Sequence, residues 1–441
     1  MPSNVCCPTP AEREVPPSVP SLRSVTVFRQ FLARPAHERA RTLLLGAFAL
    51  SGVISFSWLA RIPSVRDDLG LTAIELGGIL LIGSIGALAT VFASSAIVTR
   101  FGSAKVFAAG AVVMTTGYLL MGVGPALASL WIFGVGIVVN GVGGALLNVP
   151  MNVESARIEQ AYRRAVIPHF HAAFSAGAVA GSMLGAAAAS LGVPVIVQFA
   201  AVGVAVGALR LLALAAGMVM PAAPPRVAWA PRPSAAVSMA VWREPRTVLI
   251  GVVAFAAALS EGAANNWLSL AFVDGFHSTE AFGGIVLGVF IGCMTIVRVV
   301  GTRAIDRLGR VASLQLSGLF GILGLSLFGF AALPQVALIG VALWGAGAAL
   351  CFPIAVAAVS DDPTRAAARV SVMASMGSVA ALTAAPLIGM VASALGGTQH
   401  ALLVVLVLML ASLAVSRWVG PELTRVADPR DALDAESVPV T

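Results

Sequence analysis

The chain has 441 residues, of which 58% are hydrophobic and only 11% are charged. A soluble globular domain is typically about 25% charged, so this composition excludes an ordinary soluble enzyme. The formal net charge of +7 would suggest a nucleic-acid partner in a soluble protein, but in so apolar a chain the basic residues first indicate membrane topology.

Apolar runs recur along the chain, and each is close to the roughly 20 residues that cross about 30 Å of hydrocarbon. They predict an all-α integral membrane protein with twelve transmembrane helices, at about residues 42–62, 74–98, 104–123, 127–149, 166–190, 194–218, 246–271, 280–301, 311–332, 335–358, 368–394 and 398–419. A stretch rich in Pro and Arg separates two groups of six. The predicted organisation is therefore a tail 1–41, a six-helix bundle 42–218, a linker 219–245, a six-helix bundle 246–419 and a tail 420–441.

Basic residues are concentrated on one side of these predicted helices. The tails and the loops on the side of the termini carry 23 of the 27, whereas Arg61 and Arg66 lie on the opposite side. Two more, Arg210 and Arg298, lie within helices near the ends that face the termini. The positive-inside rule therefore predicts that both termini are cytoplasmic. Because the charge is spread over many short loops, anionic lipid headgroups of the bilayer are the expected partner and nucleic acid is not.

Motifs for chemical catalysis are missing from the sequence. It contains no phosphate-binding loop, no paired catalytic carboxylates and no metal-ligand spacing, and its four cysteines are too scattered for a framework. We therefore expect no enzyme activity, no cofactor and no metal site.

The two halves of the chain repeat each other. "ELGGILLIGSIG" followed by "RFGSAK" corresponds to "EAFGGIVLGVFIG" followed by "DRLGR", and "SAGAVA", "LNVP" and "SWL" correspond to "SMGSVA", "LCFP" and "NWL". These pairs occur in the same order about 200 residues apart, which indicates a duplicated six-helix unit with a pseudo-two-fold axis along the membrane normal.

The segment "GTRAIDRLGR" after the eighth run resembles the loop signature of the major facilitator superfamily (MFS). The equivalent segment after the second run, "SAIVTRFGSAK", is a degraded copy with Thr99 where the signature has aspartate. The resemblance implies the MFS fold, with two pseudo-symmetric six-helix bundles, and secondary transport by alternating access. It also implies a gating role for the matching residues, although a solvated charge run is the alternative: Arg100, Gly102, Asp306, Arg307, Gly309 and Arg310.

Four further stretches resemble the YbjJ-like inner-membrane branch of that superfamily. They are "SWLARIPSVRDDLGL", "NVPMNVESARIE", "HFHAAFSAGAVAG" and "EGAANNWLSL". This resemblance implies a multi-pass protein of the bacterial cytoplasmic (inner) membrane, but it does not imply a substrate.

Glu261 is the acidic residue deepest in an apolar run. An ionised group in the bilayer costs about 2.5 to 3.5 kcal/mol on insertion scales, so its presence needs a reason. A buried carboxyl that can gain or lose a proton in the physiological range suits proton coupling. The alternative is a structural carboxyl hydrogen-bonded to a neighbouring helix.

Polar stripes occupy the helices that line the central cavity in this superfamily. They suggest substrate contacts, whereas hydrogen bonds between helices are the alternative. The candidate substrate-binding residues are Ser55, Trp58, Asn140, Asn148, Asn265, Trp267 and Trp344.

Two further residues and one glycine pattern complete the set of candidates. His171 titrates near neutrality and is a candidate proton relay, with helix-end packing as the alternative. Arg61 is expected at an outer gate or at the membrane interface, where its long side chain can snorkel to water. Gly177, Gly181 and Gly185 have the small-xxx-small spacing that favours close helix packing.

These features predict a secondary active transporter of a small organic solute that is proton-coupled and monomeric. Apolar walls and few charged groups favour a moderately apolar or uncharged solute and, slightly, efflux. A proton-coupled importer of sugars or related metabolites shares the fold, and a transporter-like membrane sensor or interaction protein is the alternative of another class.

Overall fold

The computed structural model describes residues 33–163, 166–220, 241–362 and 365–421. Most of the predicted tails and linker, together with Cys6 and Cys7, lies outside these residues. Within them, every regular element is a helix.

The first bundle consists of six long helices, numbered here as spans 1 to 6. A short helix, Ile62–Leu69, follows span 1. The six spans are Ala36–Leu59, Ala73–Phe101, Ser103–Ala126, Leu130–Tyr162, Ile167–Ser190 and Val195–Ala215.

The second bundle contains spans 7 to 12. Span 7 is Pro245–Phe276, and spans 8 and 9 form one continuous element, Glu280–Phe330, that bends at Gly309. Span 11 is Ala366–Leu395. Spans 10 and 12 are each broken into pieces: Pro334–Ala348 and Cys351–Val359 form span 10, and Thr398–Ala401, Leu402–Val404 and Val405–Ala414 form span 12, followed by a 3₁₀ turn at Ser416–Val419.

Twelve crossings account for these helices. Ten helical stretches among the described residues are long and apolar enough to span a bilayer. The 51 residues of Glu280–Phe330 extend over about 77 Å at 1.5 Å per residue, so this element crosses twice. The shorter apolar helix Thr398–Ala414 provides the last crossing, and the twelve-helix prediction is confirmed. Because the number is even, both ends of the described chain lie at one face, called here the terminal face; the other is the opposite face.

The turns after spans 2 and 8 share one backbone conformation. Gly102 has φ 83° and ψ 154°, and Gly309 has φ 78° and ψ 168°. Glycine enters this left-handed region without the steric cost that a Cβ would bring. The same sharp bend therefore recurs in both halves, in agreement with the repeat seen in the sequence.

Spans 1 and 5 cross with their backbones in contact. A Cβ added to Gly177, Gly181 or Gly185 would overlap a carbonyl oxygen of span 1. The oxygens belong to Ala49, Val53 and Ser57, so both helices advance by one turn at each contact. The packing role predicted from the glycine spacing is confirmed.

The two bundles meet along spans 5 and 8 and along spans 2 and 11. Gly284 of span 8 packs on Ala186 of span 5, and Gly389 of span 11 packs on Ala73 of span 2. All four residues lie in the half of their span nearer the opposite face. Towards the middle the packing loosens, because the position of a Cβ on Gly292 is 4.0 Å from Val179.

Candidate functional site

An ion pair lies in the middle of the second bundle. Glu261 is at the centre of the 32-residue span 7, and its Oε2 accepts a hydrogen bond from Nη2 of Arg298 on span 8 at 2.9 Å. The Arg298 Nε donates to the carbonyl oxygen of Ala349 on span 10 at 3.3 Å. Each side chain of the pair is 32% exposed. A carboxylate and a guanidinium at mid-membrane depth therefore face an accessible space.

His171 is the candidate residue of the first bundle that lies near this ion pair. It lies one turn into span 5, its side chain is exposed, and its ring meets the edge of Phe48 at 5.7 Å. It lies within electrostatic range of Arg298 across the boundary between the bundles. Arg298, which the sequence placed near a helix end and outside the site, thus contacts Glu261 directly and lies near His171, the other residue predicted from sequence to handle protons.

The asparagines of the predicted polar stripes divide into two kinds. The Oδ1 atoms of Asn140 and Asn265 are buried and have no hydrogen-bond partner among the described residues. By contrast, the Oδ1 of the exposed Asn148 accepts a hydrogen bond from Asn152 at 3.0 Å within span 4. Unpaired buried carbonyl groups are costly, so Asn140 and Asn265 are the better candidates for contact with a polar solute.

The predicted aromatic contacts are packed inside the bundles. Trp267 and Trp344 are fully buried, and the Trp344 Nε1 donates to Ser260 Oγ at 2.8 Å. Trp58 is also buried, whereas Ser55 on the same helix is half-buried. The indole rings of Trp58, Trp267 and Trp344 are thus enclosed by protein in this conformation. A substrate role for these three residues and for Ser55 stays a prediction.

The opposite face is closed by an ion pair between the bundles. Arg61, at the end of span 1, lies 3.2 Å from the carboxylate of Glu280 at the start of span 8. Its guanidinium also donates to Gln198 Oε1 and to the Val193 carbonyl oxygen, at 2.8 and 3.1 Å. Only 4% of Arg61 is exposed, so the expectation that it snorkels to water is wrong: its guanidinium is held inside the protein by Gln198, Val193 and Glu280.

Further contacts reinforce this closure. The backbone N–H of Ser64 donates to Glu280 at 2.9 Å, and Arg66 forms an ion pair with Asp274 at the end of span 7. Sequence reasoning missed Glu280 and Asp274. One feature of the sequence could have indicated them. Both acidic residues lie at the predicted connection between spans 7 and 8, on the side of the membrane that also carries Arg61 and Arg66, the two exceptions to the positive-inside pattern.

At the terminal face the signature residues are placed differently in the two copies. Arg100, Gly102, Asp306, Arg307 and Gly309 are exposed at the two bends. Arg310 instead forms an ion pair with Asp361 after span 10, which also pairs with Arg246 of span 7 at 2.9 Å. This cluster joins three spans within the second bundle, and its acidic member was not among the sequence candidates.

A second cluster at that face contains Glu244, which precedes span 7. Its carboxylate accepts hydrogen bonds from Arg365 at 2.9 Å, Arg369 at 2.8 Å and Thr247 at 2.9 Å. Burial acts to raise the pKa of Glu244, but the hydrogen bonds and the nearby guanidinium groups outweigh it and hold that pKa below its usual range.

Acidification should therefore weaken the second bundle at Glu244. A carboxyl with a depressed folded-state pKa contributes stability above its unfolded-state pKa of about 4.3, and this contribution is lost as the pH falls through the folded-state pKa. The melting temperature of the wild type should fall more steeply below about pH 5 than that of Glu244→Gln. The exposed Glu38, replaced in the same way, provides the control. Parallel curves for wild type and Glu244→Gln would contradict the assignment.

The described residues also bear on metal binding. They contain no group of three or more His, Cys, Asp or Glu side chains that could hold a metal ion, and Cys293 and Cys351 are free thiols. At the centre, the described polar groups form hydrogen bonds and the ion pair between Glu261 and Arg298.

Comparison with curated proteins finds two uncharacterised transporters and a membrane protein. The chain is 24% identical over 348 residues to an uncharacterised transporter of Sinorhizobium fredii, covering 79% of this chain and 89% of the relative. It is 26% identical over 320 residues to an uncharacterised MFS-type transporter of Yersinia pestis, covering 72% and 79%. The membrane protein MosC of Rhizobium meliloti is 23% identical over 368 residues, covering 82% and 86%.

Solved structures with the same architecture are also found. The nucleoside transporter NupG superposes with a TM-score of 0.67 at 14% identity, over 88% of this chain and 98% of that one. The transporter FucP in its outward conformation gives 0.61 at 15% identity, over 88% and 100%. A sequence profile of the Major Facilitator Superfamily matches residues 43–361 and 250–440. With the profile covering nearly all of the helical region, this multi-pass membrane protein belongs to the Major Facilitator Superfamily of transporters.

Proposed function

We propose that the protein is a secondary active transporter of a small organic solute that couples transport to protons at Glu261. The observation that carries the proposal is the partly exposed ion pair between Glu261 and Arg298 at the centre of span 7. A charge at this depth is expensive to keep without a function, and a carboxylate is the group in this site that can take up a proton and become neutral.

The pair supplies a simple coupling step. While Glu261 is ionised, its Oε2 holds the Arg298 Nη2 at 2.9 Å. Protonation removes the negative charge, so the attraction is lost and the guanidinium becomes available to other groups. The contacts around Arg61 and Glu280 at the opposite face support the terminal face as the proposed route by which a proton reaches this pair. Rocking of the bundles would expose the pair to the other face.

The orientation follows from the basic residues. We place the terminal face in the cytoplasm and the protein in the bacterial inner membrane, as a monomer. The arginines of the opposite face support this orientation, because Arg61 and Arg66 are both neutralised by carboxylates. Basic residues at the terminal face include exposed ones such as Arg100 and Arg307, which suits contact with anionic lipid headgroups.

Uptake is the second candidate for direction. The apolar walls favour efflux of a moderately apolar solute, whereas two structural neighbours are named for hydrophilic solutes: NupG as a nucleoside transporter and FucP as a fucose:proton symporter. Import of sugars or related metabolites is compatible with the same coupling step at Glu261 and Arg298.

Transport in proteoliposomes tests the role of Glu261. The solute is a labelled compound that raises the melting temperature of the purified protein in a metabolite and drug library. An imposed pH gradient should drive its accumulation by the wild type, and Glu261→Gln should abolish this accumulation while solute exchange at equal pH survives.

Glu38→Gln is the matched control, since this exposed acidic residue lies in the first turn of span 1. It should transport as the wild type does. Gradient-driven accumulation by Glu261→Gln at the wild-type rate would rule out proton coupling at this residue.

A further inference from the structure

We infer that the solute carries an acidic group, and that Arg298 binds this group when Glu261 is protonated. The inference rests on the proposed function and adds the substrate class. It revises the expectation of an uncharged solute, which assumed that the cavity holds few charged groups.

The guanidinium of Arg298 has a free edge. Its Nε is held by the Ala349 carbonyl oxygen and its Nη2 by Glu261, whereas Nη1 makes no hydrogen bond to any described residue. Protonation of Glu261 frees Nη2 as well. The two Nη groups then form the parallel pair of donors that matches the two oxygens of a carboxylate, while the bond to span 10 keeps the plane of the guanidinium fixed.

The charges around Glu261 favour an anion over a cation. Arg298 on span 8 is its ion-pair partner, and span 5 contributes the exposed imidazole of His171, which can donate a hydrogen bond without being charged. Span 10 contributes the thiol of Cys351, within electrostatic range of Arg298, and span 11 contributes the uncharged Ala384 near this part of span 7. With Glu261 neutral, the surrounding groups carry a net positive charge.

The same arrangement places the anion between the bundles. Arg298 belongs to the second bundle and His171 to the first, and both side chains are accessible. An acidic solute that contacts both groups joins the bundles in the half of the membrane nearer the terminal face. This contact favours the conformation in which the terminal half closes, as alternating access requires of a bound substrate.

Charge balance then sets the stoichiometry. The empty site holds one carboxylate and one guanidinium. The loaded site holds a neutral carboxyl, a guanidinium and the anion of the solute, so its net charge is unchanged. One proton therefore moves with one carboxylate in the same direction, and an inward proton gradient drives uptake. The chemistry of this pair thus outweighs the compositional argument for efflux.

A panel of acids and their primary amides tests the substrate class. The probes are lactate, benzoate, phenylacetate and indoleacetate, each compared with its amide by the shift in melting temperature at about pH 5.5 and about pH 7.5, on either side of neutrality. At least one acid should stabilise the wild type more at the lower pH, and its amide should not. Glu261→Gln should bind that acid about tenfold more tightly than the wild type at the higher pH, independently of pH, because the competing carboxylate is gone.

Two arginine variants complete the design. Arg298→Gln should lose the stabilisation by acids, whereas Arg303→Gln, which changes an exposed arginine of the same span, should retain it. If Arg298→Gln does not fold, the Glu261→Gln measurement decides the matter alone. The inference would be overturned if each acid and its amide shifted the melting temperature equally, or if neither shifted it. A larger shift with the amide than with the acid would also overturn it.

The outcomes separate this inference from the proposed function. Proton-driven transport of an uncharged solute that depends on Glu261 would refute the acidic substrate and leave the coupling intact. Binding of acids through Arg298, together with transport that Glu261→Gln does not affect, would support the acidic substrate and refute the coupling at Glu261.

Discussion

Replacing Gly177 by leucine should leave no folded protein after extraction in mild detergent. A Cβ at this position would overlap the carbonyl oxygen of Ala49, and the atom it meets belongs to the backbone of span 1. Overpacking a core usually costs about 1 to 3 kcal/mol when side chains can move aside, but here the helices themselves must separate. Because total stability is only about 5 to 15 kcal/mol, a longer side chain exceeds what the bundle tolerates.

Size-exclusion chromatography of a fluorescent fusion measures this effect. Gly177→Leu should give aggregate, and Gly177→Ala should give a monodisperse peak with a lower melting temperature. The control is Gly46→Ala in span 1, where nothing lies within 4 Å of the added atom, and which should be neutral or stabilising by up to about 1 kcal/mol. A monodisperse Gly177→Leu with wild-type stability would show that spans 1 and 5 do not cross as described.

Replacing Glu280 by alanine should open the opposite face. Arg61 is 4% exposed and loses its carboxylate partner in this variant. Removing one member of a buried pair costs about 3 to 5 kcal/mol; because Glu280 keeps 18% exposure of its side chain, solvent reduces the penalty. The unpaired guanidinium is relieved when the bundles part and water enters. We expect a ten- to roughly hundredfold shift of the conformational equilibrium towards the state open at this face.

Distance measurements between spin labels follow the shift. Labels on cysteines introduced at Leu191 and His277, both exposed at the opposite face, should report a longer distance in Glu280→Ala than in the parent. The parent lacks the four native cysteines. Asp67→Asn breaks an ion pair with Arg66 inside one bundle and should leave the distance distribution unchanged. Identical distributions in Glu280→Ala and the parent would exclude Arg61 and Glu280 as a gate.

The helices of this protein were predictable because the bilayer imposes a simple rule. A helix that crosses hydrocarbon needs an apolar run of fixed length, so twelve runs predict twelve crossings. The bends at Gly102 and Gly309 could be expected at corresponding places because the flanking motifs repeat. The break in span 10 after Ala348 was not foreseen, since the apolar run continues through it and hydropathy alone does not register a change of backbone direction.

The site was only half predictable. Glu261 and His171 were found because each is an isolated titratable group in an apolar run. The ion pair of Glu261 with Arg298, and the position of His171 near it, depend on how spans 5, 7 and 8 are rotated about their own axes, which the sequence of one helix does not specify. The same holds for Arg61: its length and position suggested snorkelling, but its partner Glu280 lies on the other bundle.

Span 8 carries residues of all three candidate regions on one helix. Glu280 belongs to the closure of the opposite face, Arg298 to the central pair and Asp306 to the signature at the terminal face, with no break in the helix between them. At 1.5 Å per residue, Arg298 lies roughly 27 Å and Asp306 roughly 39 Å from Glu280 along the axis. Since the helix is continuous, a rigid tilt of about one degree about its Glu280 end displaces Asp306 by about 0.7 Å. A movement at the opposite face is therefore transmitted directly to the signature bend at the terminal face.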